Sequence, residues 1–447
     1  MFVPTYKANN NISIICKKFY VEQSLRELKI FQENKNKNNS MSTYVPINVT
    51  VDSIIRRHAN YTLKKFSKVK IPESLPFLYW IPKMHKKPYS KQRFIAASGR
   101  CTTKPLSAFL TKCLRLVENQ LRFMCQYYEN NYGINPMWIL KNSIEVHKII
   151  SRFNRNNSCK NLKTYDFSTI YTSIPHKLLK TKISWAIKKA FNSSKYSFIS
   201  IYKNRTIWTN FPKKNTNHVD CRELTNLVRW LIDNIFVILG DRCFQQKIGI
   251  PMGTDCAPFL ANLFLFTFEF QWIDKQRKRK NWDLLKKFMG CGRYIDDLFM
   301  INNDRVMESH MSEIYPKELK LIPDESAGNE VTFLDLRLII EDSKIYSFIY
   351  DKRDCFNFRI VNFPVLSGNI PLSSSYGVFI GELVRYARGC TYFKHFRDRT
   401  LLLIAKLKKQ FYTLKRLKKT WVKFCDSHIL LIQKYGSRIL DFYKEWR

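Results

Sequence analysis

Acid is scarce in this sequence. Of its 447 residues, 36 are Asp or Glu against 76 Lys or Arg, for a formal net charge of +40. A charge this large speaks to partners rather than to fold, and it points to a polyanion: nucleic acid or an acidic membrane surface. A coding bias toward Lys, Asn, Ile, Phe and Tyr would also raise Lys, but everywhere, not beside particular motifs. Glycine (13) and proline (16) are few, which excludes a collagen-like or loop-dominated chain. No stretch approaches the roughly 18 consecutive apolar residues of a membrane-spanning helix. The longest candidate, Phe259 to Phe268, is interrupted by Asn262. The twelve cysteines include no C-x-x-C pair, and the eight histidines show no metal-ligand spacing with them. The beginning of the chain also lacks the apolar core and cleavage site of a signal peptide. The expectation is a soluble, intracellular protein with reduced, mostly buried thiols. What is present is apolar: 45% of residues are hydrophobic and 15% aromatic, which suffices for a sizeable core and excludes a disordered basic tail. The length suggests about three domains.

Residues 12–30 read as a strand passing into a short helix, and the polar run Glu33 to Met41 as a linker or mobile loop. From Ile71 the chain is extended, because Pro72, Pro76, Pro82 and Pro88 forbid a helix. Apolar residues at Leu106, Phe109, Leu110, Cys113, Leu116 and Leu121 mark a helix from Pro105 to about Tyr128. A short strand at 161–166 precedes a helix from Pro175 to Phe191. Residues 192–222 look like a polar, irregular insertion. Helices then cover Leu224 to Ile235 and Asp255 to Trp272, residues 293–302 form a tight hairpin, and 331–350 form further strands. The last 75 residues are helical and basic. No internal repeat is visible. Strands and helices mix without a βαβ rhythm, so the class is α+β.

The sharpest local signal is RYIDDLFMI, residues 293–301. Asp296 and Asp297 sit between apolar flanks, and two adjacent carboxylates there are costly unless a cation neutralises them. A divalent metal with oxygen ligands would do so. An ordinary Asp-Asp turn reads the same, so this motif alone decides little. Two others accompany it. TYDFSTIYTSIP (164–175) ends a strand on Asp166 and places Tyr171 five residues on. GIPMGTDCAPFLANLFL (249–265) joins a turn to an apolar helix, and its Gly249 and Gly253 permit close approach of backbone to a ligand. Upstream, Lys83 and Arg93 lie in an extended segment whose cations suit a triphosphate.

In this order the motifs resemble a reverse transcriptase, and in particular that of Penelope-like retroelements, whose polymerase is related to telomerase. WIPKMHK (80–86), KPLS (104–107), FLDL (333–336) and YDKRDCFNFRIVNFPVLSGNIP (350–371) also match that family's pattern. The similarity runs over roughly residues 12–440. It implies a right-hand polymerase with fingers, palm and thumb, divided as follows: 1–60 an N-terminal extension and linker, 61–160 fingers and finger–palm segments, 161–350 palm with an insertion near 192–222, and 351–447 thumb. By the same resemblance, Asp166 and Asp296 bind two divalent cations (Mg²⁺, with Mn²⁺ a substitute), assisted by Asp297 and the Phe167 carbonyl. Tyr171 matches the residue that stacks under the incoming sugar and excludes a 2′-hydroxyl; a plain core aromatic is its other reading. Lys83 and Arg93 match the triphosphate-contacting residues, with Lys86, Lys87 and Lys91 close by. Met252 and Gly253 match the turn that packs on the nascent base pair.

Asp255 and Ala257 depart from the small or hydroxylated residues of many reverse transcriptases, and Met252 from a frequent Gln. Nothing after Tyr435 leaves room for the C-terminal GIY-YIG nuclease that such proteins often carry, so a nuclease-free type or a fragment is expected. Residues 401–425 hold eight Lys or Arg and no acid: Lys406, Lys408, Lys409, Lys415, Arg416, Lys418, Lys419 and Lys423. Leu403, Leu407, Phe411, Leu414, Leu417 and Trp421 recur at helical steps, as in a helix packed on protein and facing phosphates. A solvated face and a membrane-surface helix give the same pattern. KQRKRK (275–280) fits a nucleic-acid track or a solvated loop equally. The implied activity is RNA-directed DNA synthesis, with an RNA template, a DNA primer and dNTPs as partners, no membrane, a separate endonuclease, and nuclear action. The rivals are an RNA-directed RNA polymerase, which the aromatic Tyr171 disfavours, and an inactive or domesticated nucleic-acid binder.

Overall fold

The computed structural model describes residues 1–28, 43–66, 69–85, 91–156, 158–168, 170–212, 216–250, 253–324 and 328–446. The expected linker, Glu33 to Met41, lies outside them, as do Lys86, Lys87 and Met252.

At the centre is a four-stranded antiparallel sheet, ordered Cys291–Tyr294, Asp297–Ile301, Leu162–Phe167, Leu321–Pro323. The strand Asp297–Ile301 is apolar almost throughout because both of its faces are covered. Leu298 and Met300 enter one hydrophobic core, which is shared with the helices Lys104–Tyr132, His176–Ser194, Cys221–Asp233 and Ala257–Lys278. Phe299 and Ile301 enter a second core. That core is completed by the sheet Glu330–Phe333, Leu336–Glu341, Lys344–Ile349 and by the helices Leu372–Gly389, Phe393–Lys408 and Leu414–Ser427. The strand Asp297–Ile301 and its neighbour Leu162–Phe167 therefore contribute to both cores, and the N-terminal end of the first carries Asp297.

Three expectations change. Residues 192–222 are not irregular: Phe198–Ile201, Thr206–Thr209 and Asn217–Asp220 form a small sheet around the buried Ile199 and Val219. Its strands are only four residues long, too short for alternation to stand out against the polar turns. The helix expected to end at Trp272 runs on to Lys278, so KQRKRK is mostly the last helical turn, where cations oppose the helix dipole. There Arg277 and Lys278 both pair with Asp274 at 2.9 Å, and Gln276 is buried. The C-terminal basic stripe is two helices, broken between Lys408 and Leu414. Phe411 adopts φ 68° at the break and is 64% exposed, outside the buried line of Leu403, Leu407, Leu417 and Trp421.

The first sixty residues are more than an extension and linker. Phe2–Thr5 and Ala8–Ile14 form a hairpin against the strand Leu78–Pro82. Tyr20, on the helix Lys17–Glu27, stacks on Trp80 with ring centres 4.5 Å apart. Tyr44–Pro46 pairs with Arg242–Gln246. Nine of the cysteines are buried, while Cys16 and Cys355 are exposed and Cys221 is half-buried. Among the described residues, no helix is long and apolar enough to cross a membrane.

Candidate active site

The hairpin Cys291–Tyr294/Asp297–Ile301 closes by pairing Tyr294 with Asp297, which leaves Ile295 and Asp296 as a two-residue turn. Ile295 has φ 54°, where a β-branched side chain is strained and Gly or Asn is usual. Such strain costs on the order of 1–3 kcal/mol and persists only where surrounding structure imposes it. Arg293 imposes it here. Its Nη1 donates to the Ile295 carbonyl at 2.9 Å and to Asn262 Oδ1 at 3.2 Å. Its Nε and Nη2 donate to Glu269 at 2.6 and 3.0 Å, and the Tyr315 hydroxyl donates to the same carboxylate at 2.9 Å. The Arg293 and Glu269 side chains are both 0% exposed. From the adjacent strand, the Phe167 N–H donates to the Asp296 carbonyl at 2.9 Å.

The register then brings the carboxylates together. Asp297 lies directly opposite Asp166 on the neighbouring strand. Residues so paired share one face of the sheet, with Cβ atoms about 5 Å apart. Burial pushes the Asp297 carboxyl up to about 6, helped by Asp296 and Asp166 and opposed by Lys352 and Lys7. Among the described residues, no three His, Cys, Asp or Glu side chains form a ready-made metal cage. A magnesium site does not require one. This ion is usually held by one or two carboxylates, retained waters and substrate phosphate oxygens. Three like charges at one sheet end, one of them made reluctant to ionise by burial and by the others, fit that chemistry. Phe167 follows Asp166 at the end of its strand, its ring edge-on to Tyr315 at 4.9 Å.

Tyr171, on the short helix Ile170–Ser173, is half-buried. Burial pushes its hydroxyl up to about 12; Asp296 adds to the effect and Arg93 opposes it. The Ile250 N–H donates to the Tyr171 carbonyl at 2.9 Å. Gly249 has φ 94°, and a Cβ there would collide with that same carbonyl oxygen. Gly253, also at φ 94°, would collide with the Ala96 carbonyl, and the Ser98 hydroxyl donates to the Gly253 carbonyl. Both glycines thus admit protein backbone, Gly249 lying against Tyr171 and Gly253 against the extended hairpin. Asp255 is held by Lys104 at 2.6 Å.

That hairpin, Leu78–Pro82 paired with Gln92–Ala96, carries the expected triphosphate cations. The Lys83 N–H bonds the Lys91 carbonyl at 2.8 Å, and exposed Arg93 donates to the Tyr6 hydroxyl at 2.6 Å. The C-terminal cations are far from uniform. Lys406 pairs with Asp354 at 3.1 Å. Lys408, Lys409, Lys415, Arg416 and Lys419 are exposed, and Lys418 is half-buried. Sequence reasoning missed Arg293 and Glu269. The available signal was a lone charge in each of two apolar segments.

No protein-family model matches the chain, and no curated protein matches it in sequence. Solved structures do match. Telomerase from Candida albicans, in complex with a TWJ fragment of telomeric RNA, aligns with a TM-score of 0.56 at 12% identity, over 90% of this chain and 70% of that one. The fold is that of a right-hand polymerase. Apo telomerase from Candida tropicalis aligns at TM-score 0.44 and 11% identity, over 90% of this chain and 71% of that one. An RdRp complex aligns at 0.42 and 10%, over 78% of this chain and 28% of that one. Identities at this level speak to fold alone.

Proposed function

We propose that this chain is an RNA-directed DNA polymerase of a Penelope-like retroelement, extending a primer 3′-hydroxyl with dNTPs. The observation that carries the reading is the register setting Asp166 opposite Asp297, with Asp296 in the clamped turn beside them. Asp166, Asp296, Asp297 and the Phe167 carbonyl would hold two Mg²⁺ ions, or Mn²⁺ in their place. Bound there, the ions would neutralise charge on the attacking and leaving oxygens. The primer 3′-oxygen forms its bond to the α-phosphorus as the bond to pyrophosphate breaks. Little covalent help is needed from protein, so positioning and charge carry the reaction.

In this reading Tyr171 packs under the sugar, where a 2′-hydroxyl would meet its ring. Lys83 and Arg93 bind the triphosphate, and Met252 and Gly253 border the nascent pair. Lys408, Lys409, Lys415, Arg416, Lys418 and Lys419 follow the hybrid backbone, which is recognised by shape and charge. Lys406 joins them only if it leaves Asp354. Fingers, palm and thumb would be residues 61–160, 161–350 and 351–447. Action would be nuclear, with a separate endonuclease exposing the primer end. The aromatic at 171 favours deoxynucleotides over the RNA-polymerase alternative. The test is incorporation of dNTPs against NTPs on one RNA template, with wild type and Tyr171→Ala side by side. Strong dNTP preference that relaxes in the variant supports the reading; NTP preference in wild type would replace it with an RNA polymerase.

A further inference from the structure

The N-terminal hairpin ends on the extended hairpin that carries Arg93, although nothing in its sequence marks it for catalysis. Thr5 pairs with Ala8, leaving Tyr6 and Lys7 as the turn, with Lys7 at φ 65°. The Tyr6 N–H donates to the Pro82 carbonyl at 3.1 Å. The Tyr6 hydroxyl accepts from Arg93 at 2.6 Å, and the Arg93 guanidinium lies 5.0 Å from the Tyr6 ring centre. The Lys7 ammonium stands 5.4 Å from the same ring centre. One aromatic side chain therefore touches two cations, Arg93 through its hydroxyl and ring and Lys7 through its ring.

The hairpin is also held from the opposite side. Asn11 donates to the Arg359 carbonyl at 2.9 Å and accepts from the Val361 N–H at 3.0 Å. The His85 ring lies 5.6 Å from Tyr6 and 5.6 Å from Phe356. The turn is thus anchored both to the extended hairpin carrying Arg93 and to the segment leading into the C-terminal helices. The hairpin carrying Arg93 borders the candidate site, since its Ala96 carbonyl stands where a Cβ on Gly253 would lie and the Ser98 hydroxyl donates to the Gly253 carbonyl. Lys7 and Arg93, from remote parts of the chain, thus meet at one ring beside that hairpin.

Resting on the polymerase reading, we propose that the Tyr6–Lys7 turn is part of the nucleotide site, with Lys7 binding the triphosphate of the incoming nucleotide and Tyr6 orienting Arg93 toward the same group. A triphosphate is the anion this arrangement suits. The Lys7 and Arg93 cations, spaced by one ring, meet a chain of phosphates rather than a single charge. The competing role is purely structural, with Lys7 only packing against the Tyr6 ring.

The experiment is calorimetric binding of a non-hydrolysable dNTP analogue with Mg²⁺ to the full chain, for wild type, Lys7→Ala, Lys7→Arg and Tyr6→Phe. Thermal melts and primer–template affinity are measured on the same samples. Lys7→Ala should weaken nucleotide binding about tenfold, the scale of one charge-assisted hydrogen bond. Lys7→Arg should recover most of that loss, Tyr6→Phe should show a smaller one, and primer–template affinity should be unchanged. Nucleotide binding unchanged in Lys7→Ala overturns the proposal, as does a loss accompanied by an equal loss of primer–template binding. A lowered melting temperature with normal nucleotide affinity assigns Lys7 the structural role instead. Binding needs no turnover, so an inactive wild type that still shows the Lys7 effect would sink the polymerase reading while sparing the nucleotide site.

Discussion

Glu269→Gln removes the negative charge from the buried pair beneath the candidate catalytic turn while keeping an oxygen for Tyr315 and Arg293. The Arg293 guanidinium, wholly shielded from solvent, then has no counter-charge. Breaking a buried pair from one side costs about 3–5 kcal/mol, because the remaining charge is uncompensated. Replacing both partners with apolar groups of similar size, as in Arg293→Met/Glu269→Leu, should recover most of that loss. The double variant still lacks the Arg293 Nη1 bond to the Ile295 carbonyl, so the strained φ of Ile295 is no longer imposed. Urea unfolding followed by tryptophan fluorescence reads the first effect, and primer extension reads the second. The expected pattern is an unstable single variant, a stable double variant, and impaired extension in both. A double variant extending primers at the wild-type rate would refute the claim that Arg293 holds the turn. A stability loss below about 1 kcal/mol in Glu269→Gln, within the range of exposed pairs, would refute the buried-charge argument.

Gly249→Ala should displace Tyr171, since its Cβ meets a backbone carbonyl and its φ is positive. A cost above about 1 kcal/mol and a weakened dNTP-over-NTP preference are expected, read by thermal melting and competitive incorporation. His58 and His176 are held at about 4, mainly by burial. Their folded values lie below the unfolded 6.5, so their contribution to stability is complete above about pH 6.5 and lost as pH falls toward 4. Urea midpoints at pH 7.5 and 5 should show the loss, and His58→Gln should flatten it. Asp297 has the opposite sign. Its folded value of about 6 lies above the unfolded carboxylate, so its contribution is complete below about pH 4 and lost as pH rises through 6. Metal-free Asp297→Asn should therefore be more stable than wild type at pH 8, by up to about 3 kcal/mol before solvent screening. Equal stability of the two proteins at pH 8 would count against a burial and repulsion cost at Asp297.

The acids of the site were legible because they sit in short motifs, and a strand ending on Asp166 plus a hairpin turning on Asp296 leave few ways to pair. The long helices were legible for a similar reason, since their apolar spacing is local. What was hidden depends on contacts between distant residues. Nothing near Glu269 announces Arg293, because each looks like an isolated charge until the helix is laid under the hairpin. The Tyr6–Arg93 bond spans 87 residues and leaves no periodic trace. The break at Phe411 was hidden too, since apolar spacing continues across it while the backbone does not. Gly249 and Gly253 were read as points where backbone approaches a ligand, but the described structure sets protein backbone against both of them.

The central claim is that Asp166, Asp296 and Asp297 form a polymerase centre. Primer extension on an RNA template with Mg²⁺ and dNTPs tests it most directly, with wild type beside Asp166→Asn and Asp296→Asn and primer–template affinity measured in parallel. Wild type should extend, and both variants should bind primer–template nearly as well yet fail to extend it. Extension by either variant at the wild-type rate would contradict the claim.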